Sequence, residues 1–358
     1  MTVVSRLSDR RCKEDSMSGE SIAVTAAVLE RERVCVMETQ DVEVNLQPSQ
    51  VLVRSRVSLI STGTEMSMYL GTHSGIANPD NTWTKYPFRP GYATVGVIER
   101  IGDAVTRWQV GDRVFIRTQH ASHNVCAEDA PIAIPDDVSD EHAPFARLGS
   151  ISLCGVRAAR LHLGDPVVVI GQGLIGLLAL RGALLDGGRP AIGVDIDEDR
   201  LALARELGAT ATINPATDDV GEAVKRLTGG RMAAAVIEAT GKSTTVPGAL
   251  DLLTDGGVLV LLGGVHGKVS LDLYDTIHRR GLRMVGAHEN NVPPVPSQDN
   301  HWTYRNNFAL MLDLIARGEL PVEPLITDRS RAEKLPALYE AAASEPRNHL
   351  GMLVEWGE

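Results

Sequence analysis

The chain has 358 residues, 43% of them hydrophobic and 23% charged, which excludes a disordered, collagen-like or coiled-coil protein and suits about two domains. Its formal net charge of -11 argues against a nucleic-acid binder, which needs a basic face, but leaves open phosphate recognition by backbone N–H groups. Four scattered cysteines, Cys12, Cys35, Cys126 and Cys154, form no C-x-x-C pair and fit reduced thiols in a cytoplasm. No apolar run approaches the ~18 residues of a membrane span, so no membrane partner is expected.

Residues 1–21 are polar and read as a flexible tail, with Met17 an alternative start. From about Ala23 to Pro135 the chain is β-rich: Val42–Val44, Val51–Val57 and Thr94–Ile98 are short, β-branched and separated by turn residues such as Gly102-Asp103 and Gly111-Asp112. After Cys154 apolar strands alternate with helical patterns. Strand Pro166–Ile170, helix Leu174–Leu185, strand Ala191–Val194 and helix Asp199–Leu207 come first. Strands Ala211–Ile213, Ala235–Glu238, Gly257–Leu262 and Arg283–Val285 follow, as a parallel sheet covered on both faces requires. The Pro-rich stretch Val292–Ser297 is a loop, Asn307–Arg317 and Arg331–Ala343 are helices, and Gly351–Trp356 alternates like a strand that could return to the first domain's sheet.

Gly171-Gln-Gly173-Leu-Ile-Gly176 directly follows an apolar strand and opens a helix, and the next strand ends in Asp195, 19 residues after Gly176. Gly171 permits a tight turn, Gly173 lets backbone approach a pyrophosphate, and Gly176 lets helix and strand pack closely. The pyrophosphate would lie on the N–H groups of Leu174 and Ile175 at the positive end of the helix. Asp195 can accept from a ribose 2′-hydroxyl and would repel a 2′-phosphate, so NAD is expected rather than NADP. Arg200 could close on the adenosine ribose, or form a surface ion pair with Asp197 or Glu198.

Several motifs in register carry a resemblance over about residues 22–358. They are Gly63-Thr-Glu65, Pro90-Gly-Tyr-Ala-Thr-Val-Gly96, Gly111-Asp-Arg-Val114, Val169–Gly176, Asp195-Ile-Asp197, Glu206-Leu-Gly-Ala209 and Glu238-Ala-Thr-Gly241. The chain resembles a medium-chain dehydrogenase/reductase of the alcohol dehydrogenase-like superfamily. The resemblance implies an α/β architecture: a GroES-like β-rich catalytic domain (22–154 and 291–358) with an inserted Rossmann doubly wound parallel sheet (155–290). It adds Ile196, Thr240 and Gly264 to the expected cofactor contacts, and implies a homodimer formed through the strand near Arg283–Val285.

Zinc-dependent relatives carry C-G-[TS]-D, G-H-E and a third ligand region before Pro-Leu. Here those positions read Thr62-Gly63-Thr64-Glu65, Gly91-Tyr92-Ala93 and Arg147-Leu148-Gly149-Ser150, and the four-Cys structural lobe is missing. Zinc takes thiolate, imidazole or carboxylate, so no catalytic metal is expected. The cluster His120-Ala-Ser-His123-Asn-Val-Cys126 could bend around a metal in a loop, but a strand would send the two imidazoles to opposite faces. The resemblance is to a zinc-free branch that includes bacteriochlorophyllide a dehydrogenase and threonine dehydrogenase-related proteins.

Without zinc the hydroxyl proton of an alcohol needs a base or donors. Thr64 matches the hydroxyl that bonds the substrate oxygen in this family, and His120 is a natural base; Glu65 and Tyr92 complete the expected catalytic set. Each has a structural alternative: Glu65 as a carboxylate pinning a turn, Tyr92 as a filler of the ligand position, His120 as a loop or core histidine. The polar cluster of His288, Asn290 and Asn291, with Trp302, is the expected substrate contact, and suggests a sugar, cyclitol or nucleoside alcohol. A redox-neutral epimerase that retains NAD, an enoyl or quinone reductase, and a non-enzymatic NAD-binding protein are the alternatives.

Overall fold

The computed structural model describes residues 21–298 and 300–357, so the expected tail lies outside the described residues except for Ser21, as do Cys12 and Met17. The chain divides into two compact units. One comprises residues up to 134, 329–346 and from 352 on; the other comprises 135–328 and 347–351.

In the first unit β1 (Ser21–Arg31) and β2 (Val34–Glu43) form an antiparallel hairpin, of which sequence reading had seen only the end at Val42–Val44. Strand β3 (Gln50–Ile60) leads into the short helix α1 (Thr64–Tyr69), and β4 (Thr94–Ile101), β5 (Arg113–Ile116), β6 (His123–Ala127) and β7 (Ile132–Ala133) follow. β3 pairs with both β4 and β6, which is why apolar residues occur on both its faces.

The second unit opens with α2 (Phe145–Ala159), a helix the sequence reading did not identify. Gly149 and Gly155 disguise its periodicity, and both serve packing: a Cβ on Gly149 would come within 2.8 Å of Met311 Sδ, and one on Gly155 within 2.8 Å of a Leu262 methyl. Then come β8 (Val167–Ile170), α3 (Leu174–Leu185), β9 (Ala191–Val194), α4 (Glu198–Glu206), β10 (Ala211–Ile213) and α5 (Val220–Leu227). The unit continues with β11 (Ala233–Glu238), α6 (Val246–Asp251), β12 (Leu253–Leu261), β13 (Arg283–Gly286) and α7 (Tyr304–Ala316). The strands form one parallel sheet in the order β10-β9-β8-β11-β12-β13. The order reverses at β8, the switch point outside whose strand ends such sheets bind ligands. Because α2 packs on α3 and α7, this unit begins and ends further out than the sequence-drawn bounds of 155 and 290.

Strand β14 (Ile326–Arg331) precedes α8 (Leu335–Ser344), so the helix expected from Arg331 starts later, with Pro336 in its first turn. Finally β15 (Gly351–Glu355) pairs antiparallel with β3 through Met352–Glu355. The α/β unit is therefore an insertion in the β-rich one. None of the described helices is long and apolar enough to cross a membrane.

Phe308 of α7 is fully buried. Phe308→Ala should cost about 3–5 kcal/mol, read as a lowered urea midpoint for the parallel-sheet unit; a cost below about 1 kcal/mol would contradict this packing.

Candidate active site

The Gly-rich turn stands at the end of β8. Gly171 has φ 91°, and a Cβ on Gly176 would lie 1.8 Å from the Gly171 carbonyl oxygen, so the third glycine is a steric necessity. Gly173 begins α3 with no side-chain cap, leaving the amides of Leu174 and Ile175 to an anion. Asp195, just past β9, is pinned by two backbone donors: Gln172 N–H to Oδ2 at 2.6 Å and Asp197 N–H to Oδ1 at 3.0 Å. Asp197 caps α4 through Asp199 and Arg200 N–H, with Arg200 half-buried and Ile196 exposed alongside. At the end of β11 the buried Glu238 collects the N–H groups of Thr240 (2.9 Å) and Gly241 (3.2 Å) and the hydroxyls of Thr240 and Thr245. Gly264, φ 65°, stands beyond β12 with open space around it. All the expected cofactor residues thus gather at the carboxyl ends of β8, β9, β11 and β12. The pinning roles of Gln172 and Glu238 were not foreseen.

In the first unit α1 begins four residues after β3, and this turns Glu65 inward. Glu65 Oε1 accepts from Ser61 N–H (2.9 Å); Oε2 accepts from the Tyr339 hydroxyl (2.5 Å) and meets His120 Nε2 at 2.9 Å. His120 Nδ1 meets Ser58 Oγ at 2.8 Å, and Ser58 Oγ accepts from Trp356 Nε1 at 2.9 Å. Since Ser58 receives the indole proton, its own proton can satisfy Nδ1, and Nε2–H then donates to Glu65; this tautomer leaves every member partnered. Burial first, then the charge of Glu65, pushes the Tyr339 phenol well above its ordinary range, so it remains a donor. Gly91 lets the chain pass close, since a Cβ there would sit 2.4 Å from His120 N. Tyr92 donates to Ser61 Oγ.

Thr64, Glu65, Tyr92 and His120 are thus brought into one region, but unequally. Thr64 and Tyr92 are half-buried, whereas Glu65 and His120 are sealed, so His120 can exchange protons only through Ser58 or Glu65. Ser58, Tyr339 and Trp356 were missed by sequence reasoning: Tyr339 lies 274 residues from Glu65 and Trp356 298 from Ser58. No local pattern marks such a pairing.

The donor chemistry does not fit zinc. Thr62 and Tyr92 stand at two expected ligand positions, and the third expected region, 147–150, opens with Arg147, buried and ion-paired with Glu289 at 2.6 Å. His120, His123 and Cys126 do not converge: His120 faces Glu65, while His123 pairs with Glu99 at 3.5 Å. Burial pushes the Cys126 thiol up to about 12. Among the described residues no three His, Cys, Asp or Glu side chains form a metal-holding group.

The expected substrate residues sit in the parallel-sheet unit. His288 caps a short turn, its Nδ1 accepting from Asn290 N–H at 3.1 Å. His288, Asn291 and Trp302 line a cavity of about 190 Å³ with Cys154 and Arg157 of α2; Asn290 is exposed outside the lining.

A reversing parallel sheet with an uncapped Gly-rich turn and pinned acids defines a pyridine-nucleotide-dependent oxidoreductase. Residues 47–137 match the alcohol dehydrogenase GroES-like domain family and residues 175–316 the zinc-binding dehydrogenase family. Erythritol/L-threitol dehydrogenase of Mycolicibacterium smegmatis is 30% identical over 290 residues, covering 67% of this chain and 80% of the relative. Sorbitol dehydrogenase 2 of Saccharomyces cerevisiae is 27% identical, over 72% and 78%. A Sinorhizobium meliloti structure described as a zinc-binding dehydrogenase bound to NADP shares the fold, with TM-score 0.77, 23% identity and 93% and 99% coverage. The chain belongs to the medium-chain, alcohol dehydrogenase-like family of oxidoreductases.

Removing the Glu65 carboxylate would orphan three buried donors at about 1–3 kcal/mol each. Glu65→Leu should therefore lower the unfolding free energy of the β-rich unit by at least about 3 kcal/mol in urea; a loss under about 1 kcal/mol would show that the network does not hold this unit together.

Proposed function

We propose that this protein is a zinc-independent, NAD-linked dehydrogenase of a secondary alcohol on a polar, polyhydroxylated metabolite, acting as a cytoplasmic homodimer. The observation that carries the zinc-independent reading is the saturated Glu65–His120 network, together with Thr62, Tyr92 and Arg147 at the positions of metal ligands. Relatives named for erythritol, L-threitol and sorbitol support a polyol-like substrate. The exposed edge strand β13, with Met284 and Val285 open, supports sheet extension across a two-fold axis. The three described cysteines are free thiols, in keeping with a reducing compartment.

When bound, NAD accepts the hydride from the carbinol carbon. The amides of Leu174 and Ile175 hold the pyrophosphate, and Asp195, fixed by Gln172 and Asp197, presents its remaining lone pairs to the ribose hydroxyls. Ile196, Arg200, Thr240 and Gly264 border the nucleotide. Thr64 and Tyr92, the half-buried hydroxyls, hold the substrate oxygen. Its proton reaches His120 by way of Ser58, whose Oγ takes up the incoming proton as it hands its own to His120 Nδ1, and Glu65 on Nε2–H is the counter-charge.

His120→Ala and Thr64→Ala should each lower kcat by about 10²-fold, in protein that contains less than stoichiometric zinc by metal analysis and is unaffected by chelators. Near-normal turnover of both folded variants would refute the base assignment, and stoichiometric zinc needed for activity would refute the metal-free reading.

A second expectation concerns the cofactor. The fixed Asp195 carboxylate should favour NAD over NADP by about 100-fold in kcat/KM, about 2.7 kcal/mol, and Asp195→Ser should narrow that ratio at least about tenfold. An equal preference in the unaltered enzyme would remove Asp195 as the discriminator.

A further inference from the structure

Arg157, on α2 of the parallel-sheet unit, forms no ion pair with a described carboxylate. Its guanidinium lies on the Trp302 indole, 3.5 Å from the ring centroid, and Nε donates to Asn307 Oδ1 at 3.3 Å. Among the described residues no carboxylate is within ion-pair distance of it; Asp186 acts on it at longer range, without a hydrogen bond. Burial pulls the Arg157 pKa down from its ordinary value, a sign of desolvation, though an arginine stays charged. Two other arginines of the same unit do meet carboxylates. Arg147 pairs with Glu289, and Arg280 bonds Asp255 and the carbonyls of Leu250 and Leu253.

The Arg157 fork lines the cavity of about 190 Å³, where Asn291, Asn300 and Asn307 supply amides, His288 an imidazole, and, among the described residues, no acid contributes to the wall. That volume is below the roughly 300–1,000 Å³ of pockets that take drug-sized ligands. It suits one small substituent. A planar guanidinium stacked on an aromatic face is pre-organised for bidentate contact with carboxylate or phosphate oxygens. On a chain of net charge -11 the general field repels anions, so an anion bound here must be held by this local cation.

We propose that this cavity is an oxyanion subsite and that the alcohol oxidised carries an acidic group, as a sugar acid or a sugar phosphate does. The proposal rests on the dehydrogenase reading and narrows its substrate class.

The test uses the full chain. Inorganic phosphate and acetate are titrated while Trp302 fluorescence is followed, and kcat/KM is compared between a neutral polyol and its aldonate or phosphate ester. Saturable binding of at least one anion is expected, weakened at least tenfold by Arg157→Met and less by Arg157→Lys. The acidic member should be preferred at least tenfold, and that ratio should collapse in Arg157→Met. Asn291→Ala, an exposed lining position, should weaken the anion without threatening the fold. Phosphate binding alone identifies a phosphate ester, acetate binding alone a carboxylate. Binding of neither, or a preference indifferent to Arg157, would overturn the subsite. Anion binding that depends on Arg157, with no turnover of any alcohol, would sink the dehydrogenase reading and leave the subsite supported.

Discussion

A carboxylate taken out of water is tolerable only when several donors meet it, and Glu65 is met by three. Those donors come from the segment after β3, from the stretch that carries His120, and from α8 near the end of the chain. Ser58 extends the network to Trp356 beyond β15. One buried charge thus gathers the two chain segments that flank the inserted α/β unit. The apolar cluster around it, with Leu29, Ile60, Met66, Tyr69, Leu335 and Met352, excludes the water that would otherwise compete for the same lone pairs.

The parallel-sheet unit uses the same device with a different purpose. Glu238 and Asp195 stand at the carboxyl ends of their strands and accept backbone N–H groups from the turns beside them. Each acid fixes the loop beside it in one shape. In the first unit Glu65 gathers two side chains and one backbone N–H; in the second Asp195 takes backbone N–H groups and Glu238 takes backbone N–H groups and hydroxyls.

The nucleotide half was legible in sequence because its determinants are local. Gly171, Gly173, Gly176 and Asp195 fall within a strand, a turn, a helix and the next strand, and apolar runs mark β8, β9, β11 and β12. Helix α2 was not legible, since the glycines at 149 and 155 that admit Met311 and Leu262 erase the helical period. Nor were Tyr339 and Trp356, whose roles are set by contacts across most of the chain length. His120 and Glu65 could be chosen from their residue types, but their burial could not, and burial shifts contact with solvent to Thr64 and Tyr92.

Of the residues at the expected metal positions, Tyr92 and Arg147 are each fixed by contacts of their own. A ligand cysteine replaced by Thr62 loses the thiolate but retains a polar hydroxyl. Tyr92 in place of an imidazole fills volume and spends its proton on Ser61. Arg147, in the other unit, is a buried guanidinium paired with Glu289. Thr62→Cys would therefore supply one thiolate in a unit whose Tyr92 is already bonded to Ser61. Breaking the Arg147–Glu289 pair to remake a site would leave an uncompensated buried charge, at about 3–5 kcal/mol. The Arg147–Glu289 pair is thus held in place by the cost of breaking it.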